Sequence, residues 1–176
     1  MIADSLKERI LKIKLVIMDI DGVLTDGRII LGNYGDELKF FDVQDGLGMV
    51  LLRRAGLKTV IITSKKSRIN MKRAREVNIS KIYQKVSNKL KAYEKVSKKF
   101  KLSAEQTCFV GDDLLDIPVM KRIGFAVAVQ NAVLEVKEIA HYVTEQRGGR
   151  GAVREVADMI LKCQDKWRQA TESYFK

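Results

Sequence analysis

A chain of 176 residues with 46% hydrophobic side chains can close one core without staples and leaves little room for a second large domain. Its two cysteines argue against a disulfide scaffold, no apolar run is long enough to span a bilayer, and the start Met1-Ile2-Ala3-Asp4-Ser5-Leu6-Lys7-Glu8 has no signal-like core, so a reducing cytoplasmic setting without a membrane partner is expected. The net charge of +11 is local, because residues 64 to 101 carry fourteen Lys or Arg against Glu76 and Glu94 alone. Such a block is a solvated helix face, a polyanion stripe, or the wall of a pocket for a small anion. Lys95, Lys98, Lys99 and Lys101 are expected to be solvated, and the few interleaved aromatics argue against nucleic acid as a partner.

Leu15-Val16-Ile17-Met18 reads as a buried strand running into Asp19-Ile20-Asp21-Gly22-Val23-Leu24-Thr25-Asp26-Gly27. Two carboxylates one residue apart at such a strand end repel each other and resist desolvation, so a cation is expected to join them; hard oxygen donors suit Mg²⁺. A plain strand end with an Asp-Gly turn is the competing reading. Arg28 to Leu31 and Leu38 to Phe41, joined through Gly32-Asn33-Tyr34-Gly35, read as a β-hairpin over about 28–41 that is apolar on both faces. A lone hairpin of that kind is marginal in water, so it is expected to pack against other subunits.

Further along, Leu47, Val50, Leu51 and Ala55 mark a helix, and Thr59 to Thr63 a strand. Lys65 to Val77 is a basic helix for which Thr63 and Ser64 are local N-cap candidates. A strand at Lys81 to Gln84 leads to Asn88-Lys89 and to a helix marked by Leu90, Tyr93, Val96 and Phe100. The strand Cys108 to Asp112 runs into Asp113-Leu114-Leu115-Asp116, and two more strands are expected at Phe125 to Val129 and His141 to Thr144. Strands alternating with helices give an α/β, Rossmann-like, mostly parallel sheet with helices on both faces, in one domain over residues 1–176. Ligands of such sheets sit at the carboxyl ends of the strands. On local grounds Lys89 is one more solvated lysine, Asp112 and Asp113 are helix caps, and Asp116 lies in a first turn. Gly148, Gly149 and Gly151 make 147–151 flexible, suited to a lid or to a loop leading into a helix. Val156, Ile160, Leu161, Trp167 and Tyr174 extend one helical stripe over about 152–174.

Asp19-x-Asp21-Gly22-x-x-Thr25, the strand-closing Thr63, Lys89, and Gly111-Asp112-Asp113 with Asp116 together resemble the four motifs of the haloacid dehalogenase superfamily of phosphotransferases, over about residues 15 to 157. The resemblance implies Asp19 as the nucleophile and Asp21 as the general acid and base. Thr63, Ser64 and Lys89 would hold phosphoryl oxygens. Mg²⁺ would sit on Asp19, the Asp21 main-chain carbonyl and Asp112, with Asp113 and Asp116 orienting groups behind them. Neither gap between motifs is long enough for a cap domain, which narrows the resemblance to a capless subgroup. In that subgroup hairpins assemble a homotetramer, neighbours help close each site, and the segment matching Gly148 to Gly151 reaches a neighbour's site. The implied substrate is a small sugar-acid phosphate, an eight-carbon octulosonate 8-phosphate of lipopolysaccharide precursor synthesis, contacted by Asp42, Val43, Gln44, Asp45, Gly46, Lys65 and Arg73.

Thr63-Ser64-Lys65 stands where the subgroup usually has Thr-Gly-Arg, and lysine cannot copy a bidentate guanidinium grip. A nine-carbon, sialic-acid-like 9-phosphate therefore stays open as substrate. Two readings from other classes are a polynucleotide phosphatase, motivated by the basic block, and a catalytically idle oligomerisation module, which the intact Asp19, Asp21, Lys89 and Asp112 argue against.

Overall fold

The computed structural model describes residues 3–34 and 37–176. Met1 and Ile2 of the chain start, and Gly35 of the expected turn with its neighbour Asp36, lie outside the described residues. Helix α1 (Asp4–Leu11) leads to β1 (Leu15–Met18), a hairpin of β2 (Ile30–Leu31) and β3 (Glu37–Leu38), α2 (Val43–Arg54), β4 (Lys58–Ile62) and α3 (Arg68–Glu76). The chain continues through β5 (Lys81–Tyr83), α4 (Lys89–Phe100), β6 (Thr107–Gly111), α5 (Ile117–Met120) and β7 (Phe125–Ala128). It ends in α6 (Leu134–Ile139), β8 (Tyr142–Val143), α7 (Ala152–Cys163) and α8 (Trp167–Thr171).

Six strands form one sheet in the order β5-β4-β1-β6-β7-β8, every pair parallel. From β1 the chain winds outward through β4 to β5, then crosses back to β6 on the other side of β1, so the order reverses between β1 and β6. Crevices form at the carboxyl ends of strands at such a switch point. Central strands here are apolar without alternation because both faces are covered: Leu15, Val16, Ile17 and Met18 are all buried, each contributing about 1.5–3 kcal/mol by leaving water. In one helical layer α1, α2, α7 and α8 pack on one another; in the other, α5 packs between α4 and α6. Helix α7 buries Ala152, Val153, Val156, Ala157, Ile160 and Leu161, a 3.6-residue stripe that faces α2.

Three expected boundaries move. The helix anticipated from Lys65 begins only at Arg68, because Ser67, not Thr63 or Ser64, caps it by accepting the Ile69 N–H at 3.1 Å. The hairpin's ladder is short, joining Ile30 to Leu38 and Leu31 to Glu37. The single C-terminal helix is two, broken at Gln164 to Lys166, where Asp165 takes φ of 54°. Gln164 Nε2 there donates to the Ile10 and Ile13 carbonyls at 2.9 and 2.8 Å, closing the end of α1. No helix among the described residues is long and apolar enough to cross a membrane.

Candidate active site

At the switch point β1 and β6 hand over to their loops side by side, and the Asp19 N–H donates to the Val110 carbonyl at 3.2 Å. After Asp19 the chain coils at once: the N–H groups of Val23, Leu24 and Thr25 all return to the Ile20 carbonyl. The buried Thr25 hydroxyl donates to that same carbonyl and accepts from the Gly22 and Gly27 N–H groups. Thr25 therefore shapes the loop that presents both acids. Gly22 sits at φ of 94°, and a β-carbon there would fall on the Asp112 carboxylate. Positive φ and contact with a neighbouring loop leave glycine as the residue that fits.

Three loops converge on Asp19. Lys89, the first residue of α4, has its ammonium 2.6 Å from Asp19 Oδ2 and 2.5 Å from Asp116 Oδ1, with both lysine and Asp116 sealed from solvent. Asn88 accepts the Lys91 N–H at 2.9 Å and so caps α4, which fixes the start of the helix that carries this lysine. The other oxygen of Asp116 accepts the Asp112 N–H at 3.0 Å and the Asp113 N–H at 3.4 Å. Asp113 itself is exposed and accepts the Leu114 N–H at 2.7 Å, capping the short 3₁₀ turn Leu114–Asp116. Thr63, buried at the end of β4, accepts the Lys65 N–H at 3.4 Å; Ser64 and Lys65 are exposed beside it.

Electrostatics at this point favour a cation. Burial pushes the Asp112 carboxyl up to about 8, with Asp116 and Asp19 adding to it. Burial also lifts Asp19 above the usual carboxylate range, opposed by Lys89 and reinforced by Asp116. For Lys89 burial acts downward, but Asp19 and Asp116 outweigh it and hold the ammonium above its ordinary value. One ammonium faces three carboxylates whose oxygens lie within 4.8 Å of one another, and Asp112 Oδ1 is buried without a partner among the described residues. A hard divalent cation fits that donor set. Asp116 is held by Lys89 and two N–H groups, and Asp19 by Lys89 and, at 2.6 Å, by the Ile20 N–H, so among the described residues the unpartnered oxygen of the three belongs to Asp112.

The Asp21 carboxyl stands apart from this cluster. Its Oδ1 lies 2.5 Å from Lys39 Nζ, which is also 3.5 Å from Glu37 Oε1; the Lys39 side chain is only 1% exposed. Sequence reasoning passed over Lys39, and the available signal was a charge between Leu38 and Phe40 on an otherwise apolar strand.

Of the residues expected to touch the sugar, Asp42, Asp45 and Arg73 have hydrogen-bond partners within the chain. Asp42 caps α2 by accepting the Gln44 and Asp45 N–H groups at 2.6 and 3.1 Å. Asp45 is buried and accepts the N–H groups of Gly151 at 3.3 Å and Arg154 at 2.8 Å, which makes it a cap of α7 delivered from α2. Arg73 donates to the Asp42 carbonyl at 2.9 Å and pairs with Glu76 at 3.1 Å, its guanidinium filling the space over Gly46. Val43, Gln44 and Lys65 are exposed. A cleft of about 420 Å³ lies beside the motif loop, lined by Asp26, Arg28, Phe41, Arg150 and the expected Asp42 among others. The glycine-rich segment, expected to be mobile and to reach a neighbour, is packed against its own chain. Gly148 N–H donates to Asn131 Oδ1 at 2.7 Å and Gly149 N–H to the Val23 carbonyl at 2.8 Å.

Comparison with known proteins gives the same picture. A family profile described as haloacid dehalogenase-like hydrolase matches residues 55–156. The 3-deoxy-D-manno-octulosonate 8-phosphate phosphatase of Yersinia pestis is 44% identical over 170 residues, 97% of this chain and 91% of its own. Its counterpart from Escherichia coli K12 is 44% identical over 158 residues, 90% of this chain and 84% of its own. Among solved structures, the phosphatase of that name from Moraxella catarrhalis, in complex with magnesium ion, phosphate ion and a KDO molecule, has a TM-score of 0.95 at 37% identity. That match covers 99% of this chain and 100% of the other.

Proposed function

The chain belongs to the haloacid dehalogenase-like hydrolases, and from that premise we propose that it is a phosphoric monoester hydrolase for 3-deoxy-D-manno-octulosonate 8-phosphate. The observation that carries the reading is the meeting of Asp19, Lys89 and Asp112, from three separate loops, at the switch point of the sheet. In the first step an Asp19 carboxylate oxygen attacks phosphorus, the bond to the sugar's O8 breaks, and Asp21 delivers a proton to that departing oxygen. In the second, Asp21 takes a proton from a water molecule, whose oxygen attacks the phosphorus of the aspartyl-phosphate and frees Asp19 and inorganic phosphate. Thr63, Ser64 and Lys89 hold phosphoryl oxygens while charge builds on them. Asp19 and Asp112, with the Asp21 main-chain carbonyl, would hold Mg²⁺, which when bound would supply the charge neutralisation that lets carboxylates and a phosphate meet.

The cleft beside Asp26 seats the sugar acid, with Arg28 and Arg150 as the groups suited to its carboxylate. The hairpin's exposed apolar side chains, Leu31 at 74%, Phe40 at 66% and Tyr34 at 99%, become buried between copies in a homotetramer. A reducing cytoplasmic setting accords with two free cysteines. Phosphate release from the eight-carbon ester, with the nine-carbon 9-phosphate as competitor and with and without EDTA, tests the reading. Turnover that ignores EDTA, or that prefers the nine-carbon ester, overturns it. Light scattering of the native chain and of Leu31→Glu tests the assembly, since the substitution should dissociate it.

A further inference from the structure

Lys39 belongs to none of the four motifs, and the two steps set out above do not use it. Its placement is nevertheless specific. Along β3 and the two residues after it, Leu38 and Phe40 point to solvent while Lys39 points in, the reverse of what an ordinary surface hairpin does with its charges. An ammonium withdrawn from water is costly unless paired. Here it is paired twice, at 2.5 Å to Asp21 Oδ1 and 3.5 Å to Glu37 Oε1. Among the described residues the Asp21 carboxyl has no other side-chain partner, so its direction in the site is set by a group that the hairpin delivers.

We propose that Lys39 is a positioning residue for Asp21, holding that carboxyl where the leaving oxygen departs. The hairpin then contributes to catalysis within its own subunit as well as offering an apolar outer face. This rests on the phosphatase reading above, in which Asp21 is the group that protonates the leaving oxygen. A residue acting through Asp21 affects the first step according to how much help the leaving group needs. An alkoxide must be protonated as it leaves, whereas nitrophenolate departs without a proton. The quantity kcat/KM reports events up to the first irreversible step, so it isolates this effect from the later attack of water.

The experiment compares wild type, Lys39→Met and Lys39→Arg, each with Mg²⁺, on the octulosonate 8-phosphate, on glycerol 3-phosphate and on p-nitrophenyl phosphate. For Lys39→Met, kcat/KM should fall roughly 10²-fold on both alkyl esters, within the range general acid catalysis supplies, and about threefold or less on the nitrophenyl ester. Lys39→Arg should recover most of the loss, and the Mg²⁺-induced rise in melting temperature should persist in both variants because Asp19 and Asp112 are untouched. Equal losses on all three esters would overturn the proposal in favour of a purely structural lysine. A loss confined to the octulosonate ester would overturn it in favour of a sugar contact, and unchanged kinetics would leave Lys39 without a role. If Lys39→Met does not fold, Lys39→Gln is read by the same ratio between esters. A wild-type chain inactive on every ester would sink the phosphatase reading itself, an outcome distinct from any of these.

Discussion

Gly22 and Asp112 touch: a β-carbon on residue 22 would occupy the position of the Asp112 carboxylate. The loop after β1 and the loop after β6 are thus fitted together with no space for a methyl group, and Gly22 also holds φ of 94°. Gly22→Ala should cost about 1–2 kcal/mol in backbone strain. Displacing Asp112 by the same substitution should lower kcat by roughly 10²-fold, the scale of an ångström-sized misplacement. Thermal unfolding with and without Mg²⁺ separates the two effects. The variant should unfold at a lower temperature in EDTA and lose the stabilisation that Mg²⁺ gives the native chain; a native-sized Mg²⁺ response would contradict the assignment of Asp112 to the metal.

Lys89 neutralises two buried acids at once, so its removal should be felt even without substrate. Lys89→Met leaves Asp19 and Asp116 facing each other without a cation, and breaking a buried pair from one side typically costs about 3–5 kcal/mol. Denaturant titration in EDTA should show that loss. Saturating Mg²⁺ should restore part of it, because a second positive charge becomes available to Asp19. Phosphatase activity should not return, since in the proposed mechanism the ammonium also holds the phosphoryl oxygens.

Asp45 supplies a pH dependence away from the metal. Burial raises its carboxyl to about 6, and the N–H groups of Arg154, Gly151 and Val153 offset this only in part. Between the unfolded value near 4 and the folded value near 6, the folded chain keeps a proton that the unfolded chain releases. Stability from this group is therefore fully present below about pH 4 and declines as pH rises to about 6, by roughly 3 kcal/mol in all. Asp45→Asn cannot ionise and lacks this slope. Urea denaturation of both proteins at pH 4 and pH 7 should show the variant gaining on the native chain as pH rises. A constant difference would mean that the helix N-terminus of α7 stabilises the carboxylate enough to cancel the cost of its burial.

What the sequence made legible, and what it hid, follows from the range of the forces involved. Asp19 and Asp112 follow uninterrupted apolar runs, and a run buried on both faces marks a central parallel strand whose end is a site. Lys89 was readable only in company, because a lysine on a basic helix looks solvated until Asp19 and Asp116, distant in the chain, are placed against it. The tertiary contacts of Asp45 and Arg73 were not legible: one caps a helix more than a hundred residues away, and the other bridges α3 to the start of α2. Ser67 and Thr63 are equally good caps by local rules, and the hydrogen bond from the Ser67 N–H to Gln84 Oε1 at 2.8 Å, a contact across the fold, helps fix where the helix begins. Lys39 was hidden for the opposite reason: a strand of two ladder pairs is too short for alternation to be distinguished from chance.

Gly148 and Gly149 pose the question of whether the segment before α7 opens or stays clasped. A β-carbon on Gly148 would strike the Gly22 carbonyl oxygen, so any side chain there pushes directly on the loop carrying Asp19 and Asp21. Gly151, three residues on, makes a useful control. It sits at φ of 96° but a β-carbon there would meet no clash, the nearest atom being Gln146 Cγ at 3.8 Å, an ordinary van der Waals contact. Gly151→Ala should thus show strain alone, about 1–2 kcal/mol of stability, with kcat near that of the native chain. Gly148→Ala, whose backbone has no such strain, should lower kcat at least tenfold by moving the loop, a modest fraction of what an ångström of displacement can cost. If the segment instead swings away during turnover as a lid, the clash at Gly148 is relieved in the open form. The Gly148→Ala variant would then keep a native kcat and show a faster exchange of the Gly149 amide, whose bond to the Val23 carbonyl at 2.8 Å is the contact that opening has to break.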